Sequence, residues 1–480
     1  MTEDSGRPDE RLCATEKVGY GVGDMAANLY LGFFGLFTLY FLTDVYGVAP
    51  AAVATMLLLT KIINAITDPA IGLLADRTRS RWGRYRPYLL WCALPYGLTA
   101  ILVFAGPDLS DNGKLIYAYV VYLLAMLGYS LVNVPYSALL AVISPSASER
   151  TKATQYRFIF AGLGTLVVGA TARPLVDWLG AGDEARGFFW ASILFGVAAV
   201  TLTWITFATT RERTAPQAAQ ASGVKDDLRA LFSNVSWVVL SIGGVLLVVG
   251  LGTRLGSLAL YLKYFMTAGP ADVAGPVFLW MDRFSVFITL GVIGQILGTL
   301  SAPSLTRRFG KIRLMIGMNA IHGVLLIAGF FLTADQFAPA LVLHGLGMMT
   351  FGVALTLLFA MFTDCVQFGE WRTGRNTAGL TVSSSLFILK LGSGLGAAIP
   401  GYILASTGFA ANAEQSAQTL SGLRIITWIA PGFLLLGAAA CMTLYKLDPT
   451  LLHRIEQDLR KMRQEGRGGG AAEPVLPGKA

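Results

Sequence analysis

Hydrophobic residues along this chain gather into long runs separated by short polar stretches. A helix crossing a bilayer core needs about 20 apolar residues. Runs of that length begin near Val18, Ala51, Pro87, Lys114, Gln155 and Gly187, and again near Ser236, Val277, Leu314, Pro339, Ala378 and Ile425. The pattern predicts an all-α integral membrane protein with twelve transmembrane helices. Between Thr210 and Asn234 the sequence turns to Ala, Gln and charge and reads as a cytoplasmic linker. The expected organisation is a six-helix bundle over 1–210, a linker over 211–235, a second six-helix bundle over 236–447 and a tail over 448–480. The tail opens as a charged amphipathic stretch and ends Gly-rich, and is expected to be disordered.

The two halves share a short repeat. Arg81-Trp82-Gly83-Arg84-Tyr85-Arg86 follows the second run, and Arg308-Phe309-Gly310-Lys311-Ile312-Arg313 follows the eighth. Matched position and a shared Gly favour duplication over two ordinary basic loops. Two six-helix bundles related by an axis along the membrane normal, with a site between them at mid-membrane, describe a major facilitator fold.

Charge then sets the orientation. One set of loops carries Arg77, Arg79, Arg81, Arg84 and Arg86, then Arg150, Lys152, Arg211, Arg213, Arg307, Arg308, Lys311, Arg313, Arg372 and Arg375. The opposite loops carry mainly Asp108, Asp111, Asp183, Glu184, Asp272 and Asp335. The positive-inside rule puts the first set and both termini in the cytoplasm, with no signal peptide evident. The net charge of +8 is therefore topology and not nucleic-acid binding. Only 14% of residues are charged and 54% are hydrophobic, well away from a soluble domain at roughly 25% charged. Cys13, Cys92, Cys365 and Cys441 have no metal or disulfide spacing, so neither a metal site nor a cofactor is expected. His322 and His344 lie in apolar runs and read as satisfied packing. Trp91, Trp178 and Trp190 read as interface anchors. No nucleophile–base pair or phosphate loop marks an enzyme, and the two-half plan disfavours a channel.

Against this apolar background the second run carries a polar face. Lys61, Asn64 and Asp68 are spaced three and four apart, so they share one side of a helix. Pro69 follows at once and, lacking an N–H, leaves the Ala65 carbonyl free. A carboxylate at bilayer depth costs at least ~2.5 kcal/mol and commonly marks an ion or substrate path. Asp68 is the candidate cation site, with an ion pair to Lys61 as the alternative.

The chain resembles the glycoside–pentoside–hexuronide:cation symporters over about Glu16 to Leu447. The resemblance rests on Gly19-Tyr20-Gly21-Val22-Gly23-Asp24 with Asn28, Tyr40-Phe41-Leu42-Thr43-Asp44, Asp68-Pro69, and Arg79-Ser80-Arg81-Trp82-Gly83 with Arg86-Pro87. It continues through Tyr129-Ser130-Leu131-Val132-Asn133-Val134-Pro135-Tyr136, Phe368-Gly369-Glu370-Trp371-Arg372-Thr373-Gly374 and Lys390-Leu391-Gly392. It implies cation-coupled sugar import by alternating access. Thr67 and Ser130 match positions of the melibiose permease's sodium site. Where that permease has two carboxylates on the second helix, this chain has Asn64 and Asp68, which leans towards H⁺ with Na⁺ open at Asp68. The permease's two sugar-gripping carboxylates are matched by Asn28 and Asn133, which argues against a galactoside.

The expected sugar contacts are Tyr20, Asp24 and Asn28 on the first helix, Tyr129 and Asn133 on the fourth, Arg157 on the fifth and Lys390 on the eleventh. Arg254 could join Arg157 and Lys390 as a receptor for an acidic sugar such as a glucuronide, or it could snorkel or pair with Asp282. Arg81, Arg84 and Arg86 could gate the cytoplasmic side by pairing with Asp364 or Glu370. The expected partners are a small sugar and the bilayer, with the monomer as the working unit. A lysolipid carrier of the same fold is the rival reading.

Overall fold

The structure, a computed structural model, describes residues 11–213, 231–266, 277–373 and 378–465. The first half runs α1 (Ala14–Tyr40), a π-helical turn (Phe41–Val45), α2 (Pro50–Arg77), α3 (Arg86–Trp91), α4 (Ala93–Val103), α5 (Asp111–Val142), α6 (Ala147–Gly180) and α7 (Glu184–Thr209). The second half runs α8 (Val235–Tyr264), α9 (Arg283–Phe309), α10 (Lys311–Phe330), α11 (Phe337–Thr373), α12 (Ala378–Ser406) and α13 (Ala417–Arg424). A second π-turn (Ile425–Ile429), α14 (Ala430–Met442) and α15 (Pro449–Glu465) follow.

Among the described residues, eleven helices are long and apolar enough to cross a membrane. The third expected span is instead split into α3 and α4. Pro95 explains the break, because it has no N–H to give the Trp91 carbonyl. Helical bonding resumes at once, with Tyr96 N–H donating to the Cys92 carbonyl at 3.0 Å.

In the first half, α1 packs on α6 and α7, α4 on α5 and α7, and α2 on α5. In the second, α9 packs on α11, α12 on α8, and α14 on α8 and α10. The halves meet along α2–α12, α6–α9 and α1–α8. Small residues set the closest crossings. A side chain at Gly298 of α9 would overlap the Met349 carbonyl of α11, and one at Gly352 of α11 would overlap the Gln295 carbonyl of α9. Without a hydrophobic drive inside lipid, such backbone approach supplies much of the association.

The repeated basic segments share a glycine with positive φ. Gly83 has φ +106° and Gly310 has φ +77°, the left-handed region that favours glycine. At the first, the Glu212 carboxylate accepts from the backbone N–H groups of Arg84, Tyr85 and Arg86 at 2.8–3.1 Å. These are unpaired donors at the start of α3, where a negative charge is favoured. Burial and a hydrogen bond to Asp76 push the neighbouring Tyr85 hydroxyl up from its usual pKa.

Two expectations change at the chain's later segments. The eighth span begins at Arg283 and not near Val277, because Asp282 caps it by accepting from Ser285 N–H at 3.0 Å. The tail is helical over Pro449–Glu465. Ile455 and Leu459 are buried and Asp458 accepts from the Trp371 indole at 3.0 Å, which ties α15 to α11. The expected disorder can concern only 466–480, which lies outside the described residues, as does 214–230 of the linker.

Candidate functional site

Asp68 stands two-thirds of the way along α2, and its Oδ2 forms an ion pair with Lys390 Nζ of α12. The pair crosses the seam between the halves. Lys61, the alternative partner, instead lies against α12 where Gly394 leaves room for its stem. Asp68 Oδ1 is buried without a hydrogen-bond partner, and so is Asn64 Oδ1 one turn earlier. Two orphaned oxygens on one helix face are acceptors waiting for a proton or a cation. Thr67 Oγ points back to the Asn64 carbonyl at 3.4 Å, and Ser130 is buried on the neighbouring α5. The residue expected to hold a cation and the second-half residue expected to hold a sugar are thus one ion pair.

Across α1, α5 and α6, Arg157 Nε lies 3.1 Å from Asp24 Oδ1, and its guanidinium sits 5.1 Å from the Tyr136 ring. Asn28 Nδ2 donates to the Asp24 carbonyl at 2.8 Å. Tyr129 and Asn133 bond each other, and Ser137 donates to Asn133 Oδ1 at 3.2 Å. Tyr129, Asn133 and Tyr136 line a narrow cleft. Tyr20 corrects the expectation made for it. It is 0% exposed, stacked on Tyr136 at 4.8 Å, and accepts that phenol's hydrogen bond at its own carbonyl at 2.7 Å. It braces Tyr136 and has no face left for a sugar.

Arg254 fits neither expectation. Its side chain is buried in the second-half bundle, 4.8 Å from the Trp428 ring, in a cavity lined by α8, α10, α11 and α14. It therefore does not join Arg157 and Lys390 at the seam, and Asp282 is committed to the cap of α9. His322 Nε2 and His344 Nδ1 are buried without hydrogen-bond partners, while the His344 ring stacks on Phe287 at 4.1 Å.

Of the residues expected at the cytoplasmic gate, four make contacts within their own half. Asp364 takes Lys311 Nζ on both oxygens at 2.8 and 2.7 Å, within the second half. Arg84 donates to the Asp76 carbonyl at 3.3 Å and Arg86 to the Phe207 carbonyl at 2.7 Å, within the first. Arg81 lies over Trp82. Glu370 lies on α11, one residue before the Trp371 that holds α15.

The contacts that do join the halves include a latch at the opposite end, which sequence reasoning missed. Lys263 Nζ of α8 pairs with Asp44, in the π-turn after α1, and donates to Tyr40 Oη at 3.1 Å and Asn412 Oδ1 at 2.9 Å. Tyr264 donates its phenol proton to Asp44, and Asn412 Nδ2 donates to the Asp44 carbonyl at 2.8 Å. Glu184, paired with Arg173, accepts from Tyr40 Oη at 2.6 Å and extends the network. A π-turn places its side chains off the α-helical register, which aims Asp44 across the seam. Only Asp44 carried a signal, as a charge inside an apolar motif.

Comparison with known proteins agrees with this architecture. Residues 19–449 match the family model described as MFS/sugar transport protein. The chain is 33% identical over 454 residues to a putative glycoside/cation symporter, YagG, of Escherichia coli (strain K12), covering 94% of this chain and 96% of that one. It is 30% identical over 457 residues to a glucuronide carrier protein homolog of the same strain, covering 93% and 96%. Among solved structures, a point mutant of the nucleoside transporter NupG superposes with TM-score 0.67 at 16% identity, covering 90% of this chain and 100% of that one. The chain is a multi-pass membrane transporter of the major facilitator fold, not an enzyme, and belongs to the MFS/sugar transport protein family.

Proposed function

We propose that this protein is a cation-coupled symporter that imports a glycoside, pentoside or hexuronide across a bacterial-type inner membrane, with H⁺ as the coupling ion and an acidic sugar favoured. Both termini lie in the cytoplasm on this reading, and the two six-helix bundles (1–210 and 236–447) rock about the seam. The Asp68–Lys390 ion pair is the observation that carries it. A proton taken up at Asp68 cancels the carboxylate's charge and frees the Lys390 ammonium, whose side chain is half exposed. A uronate carboxylate can then take the place that Asp68 held. Coupling follows directly, because each ligand improves the site for the other by the same factor. Asp24, Arg157, Asn28, Tyr129 and Asn133 supply donors and acceptors for hydroxyls, and the Asp44–Lys263 latch holds the outer end shut in an inward-facing state.

The test is uptake into proteoliposomes of a glucuronide, a xyloside and a galactoside, with pH and Na⁺ gradients imposed separately. Glucuronide uptake driven by pH alone is expected. Asp68→Asn should abolish concentration of the sugar while leaving exchange, and Lys390→Ala should abolish both. Na⁺-driven uptake of a neutral glycoside, or unchanged accumulation by Asp68→Asn, overturns the proposal. Competition by a lysolipid with no effect of any glycoside would transfer the site to the rival substrate class.

A further inference from the structure

Arg254 lies ten residues before the end of α8, inside the second-half bundle and only 3% exposed. Its Nε and both terminal nitrogens are buried without a hydrogen-bond partner. The cavity it faces is walled by side chains of α8, α10, α11 and α14 and has room at its centre for one water-sized occupant. His322 is the other polar side chain of that wall, and no carboxylate lines it. The Trp428 ring covers the guanidinium, and its indole lies beside the Tyr261 hydroxyl.

Guanidinium and indole nitrogens can only donate. Here the guanidinium donors and their positive charge meet no charged acceptor among the described residues, and the nearby Tyr261 hydroxyl is neutral. An unpaired charge in such a place is strongly unfavourable. A water could accept a hydrogen bond but brings no charge to balance the arginine. The space is of water size, so a single-atom ion suits it better than an oxyanion of sulfate size.

We propose that Arg254, with His322, holds one chloride-sized monovalent anion as a buried counter-ion of the second-half bundle. The anion ties α8 to α10. It belongs to the scaffold and is separate from the Asp68–Lys390 seam, so the proposal stands or falls independently of the transport reading.

The experiment compares thermal unfolding of the purified full-length protein in sodium chloride and in sodium methanesulfonate at equal ionic strength. Chloride should raise Tm by about 2–4 °C, saturably with concentration. Arg254→Met should remove the difference between the two salts. Crystals grown in bromide should show an anomalous peak beside the Arg254 guanidinium. Equal Tm in both salts, or a bromide crystal without that peak, overturns the proposal. Should Arg254→Met fail to fold, the wild-type salt comparison and the bromide position still decide.

Discussion

Lys263→Gln is the most direct probe of the latch. Asp44 has a side chain with 0% exposure, so removing the lysine leaves a carboxylate with no counter-charge inside the protein. Breaking a buried pair by removing one partner commonly costs ~3–5 kcal/mol. Two facts reduce that here. Asp44 keeps the Tyr264 hydroxyl and the Asn412 backbone N–H, and Lys263 is itself 27% exposed. About 2 kcal/mol is the expected loss, and it falls only on the state in which the latch is made. At about 1.4 kcal/mol per tenfold, the balance between latched and unlatched forms should shift roughly thirtyfold. Spin labels at Leu109 and Glu414, on loops of the two halves at the latched end, read this as a distance distribution. The long-distance population should grow in Lys263→Gln. It should shrink again in Asp44→Asn/Lys263→Gln, which removes the orphaned charge. A folded Lys263→Gln protein with the wild-type distribution would refute the reasoning.

Other substitutions test the packing and the turns. Gly298→Ala should lower Tm, because the added methyl meets the Met349 carbonyl, whereas Gly317→Ala, with open space around it in α10, should raise stability by about 1 kcal/mol. Gly310→Ala should cost about 1–2 kcal/mol for its positive φ alone, and Gly83→Ala more, since its methyl also strikes the Glu212 carboxylate. Comparative thermal unfolding orders all four, and an inverted order within either pair contradicts the geometry. Glu212→Gln should loosen the 81–86 turn and speed its cleavage by trypsin after Arg84, since a neutral amide holds the three N–H groups less well than a carboxylate.

Hydropathy alone located the spans because lipid imposes one rule on every helix, that backbone bonds be made internally and side chains be apolar. It could not foresee the break at Cys92, which depends on one proline four residues past Trp91. The polar face of α2 was legible for the same reason as the spans, since Asp68 is conspicuous in an apolar run. Its partner was not. Lys61 and Lys390 are equally basic on paper, and only the packing of α2 on α12 decides between them. Arg254 was conspicuous too, but periodicity gives a helix face and not the neighbour it meets. The latch was least legible, because Lys263 sits at a helix end, where charge is ordinary, and Asn412 sits in a loop.

On the proposed proton-coupled cycle, the Asp68–Lys390 pair has an electrical consequence. With both groups charged the empty carrier is neutral at this point, so its return stroke moves nothing through the membrane field. A proton with a neutral glycoside leaves Lys390 uncompensated, and that stroke carries one positive charge, worth ~2.3 kcal/mol per 100 mV. A proton with a uronate restores neutrality and makes the whole cycle silent to voltage. The same residues would thus give a current with one class of sugar and none with the other, so current recorded alongside uptake reports the substrate's charge from the carrier's own side.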